Sequence, residues 1–209
     1  MSATRPLSDS QPAVTRIDLI RHGQPVGGRR YRGQLDDPLS ETGWQQMWGS
    51  VGDYRAWDVV VTSPLLRCSE FAQALGERYG IPVTAEARFK EVGFGAWEGR
   101  SRADVQAADP EQYAAFYRDP VGCRPPGAEP LPDFKARVAA AFEEVVARYR
   151  GQSVLVVAHA GVIRATLAHT LQIPLSALYR IQVANAGVTR VLVPQHGPAA
   201  LVFHGGVLV

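Results

Sequence analysis

Three short apolar runs, Thr15 to Ile20 (TRIDLI), Asp58 to Thr62 (DVVVT) and Ser153 to Ala158 (SVLVVA), have the length and β-branched content of buried strands. Between them apolar positions recur at helical spacing. Trp44, Met47, Trp48 and Val51 follow a capping Ser40 at i, i+3, i+4 and i+7, and Leu65, Cys68, Ala72, Leu75 and Tyr79 share one face of a helix opening at Ser63-Pro64. Phe134, Val138, Ala141, Phe142, Val145 and Tyr149 predict a third helix, capped by Asp133 and ended at Gly151; Gly161 to Leu171 predicts a fourth. Weaker patterns predict an edge strand at Ile81 to Thr84 and a helical cap from Ser101 to Tyr117. Strands are expected at Tyr179 to Val183, Thr189 to Val193 and Ala200 to Phe203, at least one of them antiparallel because no helix separates the last two.

The chemistry gathers at the ends of the buried strands, where open α/β sheets bind ligands. Arg21-His22-Gly23-Gln24 follows the first run, Ser63-Pro64 with Arg67 one turn later follows the second, and His159-Ala160-Gly161 follows the third. Arg67 in a first helical turn adds its charge to the free N–H groups and the positive dipole end, which predicts an anion there. One acid, Glu91, lies among apolar and glycine residues in FKEVGFGAWEG, surroundings that suit a proton-carrying carboxyl, although local sequence alone favours a structural Glu bonded to loop amides, as is expected of Glu98 in the same loop. The loop Pro25 to Leu39 starts at the site and is expected to fold back over it, with Gln24, Tyr31, Arg32, Gly33 and Ala160 as candidate substrate contacts. Asp119 to Pro132 reads as a fixed loop, with Glu129 approaching the next helix. His169, His196 and His204 are expected to be structural.

Composition narrows the choice. A chain of 209 residues with 46% hydrophobic residues suits one domain, residues 14 to 209, after a flexible segment from 1 to 13. A net charge of +2 with scattered arginines argues against nucleic-acid or membrane partners, and the polar start and lack of a long apolar run lead to a cytoplasmic expectation. Lys90 and Lys135 are the only lysines among 22 basic residues, a bias first ascribed to base composition. Cys68 and Cys123 match no metal or redox spacing, and Ala74 and Glu129 stand where a thiol phosphatase would need arginine. Nucleotide-loop, zinc-protease and serine-hydrolase motifs are absent, and no metal or cofactor is called for.

Two histidines, two arginines and one glutamate support phosphoryl transfer through histidine. Arg21, Arg67 and a protonated His159 would hold the phosphate charges, and neutral His22 would attack in line. Glu91 would protonate the leaving oxygen and then take a proton from water. The expected partner is a small phosphorylated metabolite.

In order along the chain, Arg21-His22-Gly23, Ser63-Pro64-Leu65-Leu66-Arg67, Glu91 ahead of Gly93 to Gly99, and His159 resemble the motifs of the histidine phosphatase superfamily, also called the phosphoglycerate mutase-like family. The resemblance implies a three-layer α/β/α sandwich with a mixed, mostly parallel sheet. It also implies His22 and Glu91 as catalytic residues and Arg21, Arg67 and His159 as phosphate ligands. Many relatives carry an Asn shortly after R-H-G; here Val26-Gly27-Gly28 stands there, so one phosphate contact is expected either to be missing or to be supplied by Arg29 or Arg30. Ala160 intervenes where Gly usually follows the second histidine. The segments RHGQPVGGRRYRGQLDDPLSETG, EVGFGAWEG and AHAGVIR resemble the α-ribazole-5′-phosphate phosphatase branch, which implies a role in cobalamin assembly; a benzimidazole nucleotide would want aromatic walls, and Tyr31, Phe94 and Trp97 lie near the site in sequence, as pocket walls or equally as local packing. A broad-specificity phosphatase, a phosphoglycerate mutase-type phosphotransferase and a non-catalytic phospholigand-binding protein remain the alternatives.

Overall fold

A computed structural model describes residues 14–208, so the segment from 1 to 13 expected to be flexible lies outside the described residues. Six strands form one sheet: β1 (Thr15–Arg21), β2 (Val59–Thr62), β3 (Val83–Ala85), β4 (Ser153–Ala158), β5 (Val188–Val193) and β6 (Ala200–Gly206), in the order β3-β2-β4-β1-β5-β6. The first four in that order are mutually parallel, and β5 and β6 extend the sheet antiparallel. The helices are α1 (Glu41–Val51), α2 (Leu66–Tyr79), α3 (Arg102–Ala108), α4 (Pro110–Arg118), α5 (Leu131–Arg148) and α6 (Ala160–Thr170).

Strand periodicity divides the core. Ile17, Leu19, Val154 and Val156 face α5 and α6, while Ile20, Leu155 and Val157 face α1 and α2. Both sheet faces are therefore covered, which gives the three-layer sandwich and explains strands apolar at nearly every position. Met47 and Val51 anchor α1, and Trp48 packs edge-on against Phe71 of α2 with ring centroids 4.9 Å apart. A smaller third cluster, Tyr31, Trp97, Val105 and Phe116, fastens the loop after β1 to α3 and α4. No helix among the described residues is long and apolar enough to cross a membrane.

Several local expectations are corrected. Tyr179 to Val183 is not a strand: a 3₁₀ segment, Leu175–Arg180, follows Pro174, and the chain beyond it pairs with no strand. Arginines take the carbonyls that a ladder would have used, since Arg164 Nε donates to Ile181 O at 2.8 Å and Arg21 Nη1 to Val183 O at 2.7 Å. The cap of α2 also differs, because the helix begins at Leu66 and the carboxylate of Asp36, from the distant loop, accepts the Leu66 N–H at 2.6 Å. Asp133 is a first-turn residue of α5, whose N-cap position is Pro130. The cap from 101 to 117 is two helices, separated where Asp109 caps α4 and accepts from Gln112 N–H.

Asp18 lies in the middle of β1 with no exposure. It accepts from Trp57 Nε1 at 3.0 Å and from Arg190 Nε and Nη2 at 2.7 and 2.9 Å. Removing the carboxylate strands a guanidinium and an indole N–H. Asp18→Ala is therefore expected to lower the unfolding free energy by about 3–5 kcal/mol, measured by urea denaturation.

Candidate functional site

Because β1, β4 and β2 are parallel neighbours, their C-terminal ends lie side by side at one edge of the sheet. Ladder bonds persist one residue further: His22 N–H donates to Ala158 O at 2.9 Å and Ser63 N–H to Val157 O at 3.0 Å. This pairing brings His22 and His159 together, with ring centroids 5.3 Å apart and planes inclined at 62°. Gly23 packs directly on Gly43 in the first turn of α1. A Cβ on Gly23 would overlap the Gly43 carbonyl, and one on Gly43 the Gln24 carbonyl, so only glycines permit this approach.

His22 Nδ1 lies 2.7 Å from Gly23 O. A carbonyl only accepts, so Nδ1 carries the proton and Nε2 keeps its lone pair. Burial, then the charges of Arg21 and Arg67, push the His22 pKa well below its ordinary value. His159, the N-cap residue of α6, has its Nε2 2.8 Å from Ser63 Oγ. Its pKa is likewise pushed well below the usual range by burial first and then by Arg67, His22 and Arg21. Burial and these cations thus oppose the proton expected on His159, because the groups that would share an anion with it also repel its second proton.

Arg21 and Arg67 are held by backbone carbonyls. Besides the Arg21 bond to Val183 O, Arg67 Nη1 donates to Leu35 O at 2.6 Å and Nη2 to Gly33 O at 2.8 Å. Burial pushes the Arg21 pKa down to about 10, opposed by Glu91, so the group stays cationic near neutrality. The Nε–H groups of both arginines are buried without a hydrogen-bond partner among the described residues. Unpaired cationic donors beside two imidazoles suit an oxyanion that can accept from them.

Glu91 faces this cluster from the loop before α3. Val92 N–H reaches its Oε1 at 3.0 Å and Gly161 N–H its Oε2 at 3.1 Å, with Arg21 and Arg164 as neighbouring cations. The carboxylate thus has the amide bonds that local sequence favoured, from its own loop and from α6, and at the same time faces the cluster. A Cβ at Gly161 would overlap Glu91 Oε1, so this glycine leaves room for the acid.

The loop from Pro25 does fold back. Pro25 pairs with Leu39, and the tip spans the site between Arg67, the α2 N-terminus and Glu98, whose Oε1 accepts from Phe94 N–H at 2.8 Å and Gln34 N–H at 3.3 Å. Gly33 contributes its carbonyl and a left-handed φ of 52°. Arg32 stands beside the site, with Nε on Asp37 at 3.0 Å and Nη2 on Val26 O at 2.6 Å. Ala160 is buried as the first residue of α6. Other candidates are not gathered in. Gln24 and Arg29 are exposed, and Arg30 pairs with Asp37 at 2.8 Å. Tyr31 and Trp97, at 8% and 3% exposure, pack against each other with centroids 5.0 Å apart and present no open aromatic wall. Glu129 accepts from Gly93 N–H at 3.1 Å and binds Arg137 through both oxygens at 2.7 and 2.8 Å.

Two site residues escaped the sequence reading. Ser63 was given only a capping role, and Arg164 received none, although it is the sole arginine within the apolar run of α6. Arg164 is mostly buried, with its pKa lowered chiefly by that burial, and lies over the Tyr179 ring at 5.5 Å.

A family model described as the histidine phosphatase superfamily, branch 1, matches residues 17–205. A bifunctional protein of Mycobacterium tuberculosis is 33% identical over 181 residues, covering 84% of this chain and 49% of its own length; the chain thus spans about half the length of that relative. A glucosyl-3-phosphoglycerate phosphatase of Mycolicibacterium vanbaalenii is 34% identical over 172 residues, 77% of this chain and 76% of that protein. A solved structure of a putative α-ribazole-5′-P phosphatase from Escherichia coli superposes with a TM-score of 0.79 at 26% identity, covering 93% of this chain and 98% of the other.

With both histidines kept neutral, the unfolded chain binds more protons than the folded one below about pH 6.5. Folding stability is then fully present above that pH and falls as pH drops, by up to about 1.4 kcal/mol per pH unit for each histidine until its folded pKa is reached. Urea midpoints between about pH 7.5 and 5.5 measure this, and His159→Gln is expected to flatten the slope.

Proposed function

The chain belongs to the histidine phosphatase superfamily, and from that premise we propose that it hydrolyses phosphomonoesters of small metabolites through a phosphohistidine at His22. The observation that carries the reading is the His22 Nδ1–H bond to Gly23 O, which leaves Nε2 unprotonated beside two carbonyl-anchored guanidinium groups. The phosphoryl group enters with its oxygens against Arg21, Arg67 and His159. Nε2 forms the N–P bond as the bond from phosphorus to the ester oxygen breaks, and Glu91 gives that oxygen its proton. Water then attacks phosphorus with Glu91 as base, the N–P bond breaks, and phosphate leaves. Opposed cations serve the transition state by meeting charge on the equatorial oxygens with donors already in place.

For the substrate, the branch resemblance proposes α-ribazole 5′-phosphate, supported by the likeness to the Escherichia coli structure. A second reading is an ester bearing a further anionic group. Arg164 favours it: a cation mostly buried beside Glu91, held through Nε on Ile181 O, extends the positive field beyond the phosphoryl position. The glucosyl-3-phosphoglycerate phosphatase likeness points the same way.

Phosphate release from α-ribazole 5′-phosphate, glucosyl-3-phosphoglycerate, phosphoserine, sugar phosphates and p-nitrophenyl phosphate separates these readings. A kcat/KM for one compound far above the rest names the class, and no release from any of them rejects phosphatase activity. His22→Ala is expected to abolish turnover with an unchanged circular dichroism spectrum; near-native turnover would remove His22 from the mechanism. Glu91→Gln should lower kcat by about 10²–10⁴-fold and remove one limb of its pH profile, and a retained limb would place the acid elsewhere.

A further inference from the structure

On the reading just given, the phosphoryl group needs a hydrogen-bond donor opposite His22. The geometry around Ser63 shows how His159 is prepared as one. Ser63 is fully buried at the end of β2, and its Oγ has two polar neighbours, Leu65 N–H at 3.3 Å and His159 Nε2 at 2.8 Å. An amide N–H only donates, so the hydroxyl accepts from Leu65. The hydroxyl proton then has one acceptor among the described residues, the lone pair of His159 Nε2. If Nε2 carried a proton instead, it too would donate to Oγ, and the hydroxyl proton would be buried with nothing to receive it. Cys68 Sγ lies near both ring nitrogens, 3.6 Å from Nε2 and 3.8 Å from Nδ1, and donates its own proton to Ala158 O at 3.4 Å, so among the described residues nothing nearer than this thiol takes an Nδ1 proton.

We propose that Ser63 is a positioning residue that fixes His159 as the Nδ1–H tautomer, so that this imidazole meets the phosphoryl oxygen as a neutral donor. The two histidines then share one tautomer and take opposite roles. In His22 the Nδ1 proton is used on the Gly23 carbonyl and the Nε2 lone pair is left for attack; in His159 the Nε2 lone pair is used on Ser63 and the Nδ1 proton is left for the substrate. The backbone and one hydroxyl, acting on different nitrogens, separate nucleophile from donor. Neutrality matters as well, because a donor without formal charge adds no third cation to the two guanidinium groups already beside His22.

The test is long-range 1H–15N correlation on protein labelled with 15N-histidine, for wild type, Ser63→Ala and Ser63→Thr, with His159→Gln assigning the resonances. Wild type is expected to show His159 with Nδ1 protonated and Nε2 unprotonated across neutral pH. Ser63→Ala should shift the ring toward Nε2–H and lower kcat/KM for p-nitrophenyl phosphate about ten- to a hundredfold. Ser63→Thr, which keeps the hydroxyl, should restore both. A wild-type ring already in the Nε2–H or imidazolium form, or Nδ1–H retained in Ser63→Ala, overturns the proposal. The wild-type spectrum decides even if Ser63→Ala fails to fold. It also needs no turnover, so failure of phosphatase activity is read separately in the release assay.

Discussion

The structure depends on keeping buried guanidinium groups fixed without neutralising them. A carboxylate partner would cancel the charge that an anionic ligand needs, whereas a backbone carbonyl holds the fork through a partial charge. Each charge-assisted bond of this kind contributes about 1.5–3 kcal/mol. Arg21 is held by Val183 O, Arg67 by Gly33 O and Leu35 O, and Arg164 by Ile181 O. The loops in turn use these arginines to satisfy carbonyls that no strand receives. Further out Arg124 repeats the pattern on the carbonyls of Gly93 and Glu129, whereas Arg137, which gathers the carbonyls of Arg88, Lys90 and Glu91, is also paired with the Glu129 carboxylate. Lysine could not span two carbonyls in one plane, so the scarcity of lysine suits this architecture, whatever its genomic origin.

Much of this was legible because it depends on local pattern. Apolar runs with β-branched residues located β1, β2 and β4, and the residues immediately after them had to emerge at one edge once the strands were parallel. His22, Arg67 and His159 were therefore placed together by topology alone, and Glu91 by its motif. What was not legible depends on partners distant in sequence. Asp36 caps α2 across 30 residues, and Tyr179 to Val183 has strand composition but loses its ladder to Arg21 and Arg164. The aromatic residues near the site left pocket wall and local packing open for the same reason. Tyr31 and Trp97 are near it in sequence, but Val105 and Phe116 enclose them in a cluster that no local pattern announces.

Charge was legible in kind but not in state. Two histidines beside two arginines were correctly expected at the site, and burial then determined their protonation. In water one imidazolium among cations is tolerable; with His159 at no exposure and Arg67 at 1%, the desolvation and repulsion terms act in the same direction. Solvent access is a property of the whole fold, which is why local sequence did not reveal the burial that opposes a second proton on His159.

The contact between Gly23 and Gly43 has a mechanical consequence. With no side chain between them, the histidine-bearing turn rests on the backbone of α1 and has no slack of its own. The position of His22 is then inherited from the seat of α1, which Met47, Val51 and the Trp48–Phe71 stack fix on the sheet. Three hydrophobic side chains further along that helix thereby act as the gauge that sets a reacting nitrogen, and the tolerance of the chemistry is decided in the oil rather than at the charges.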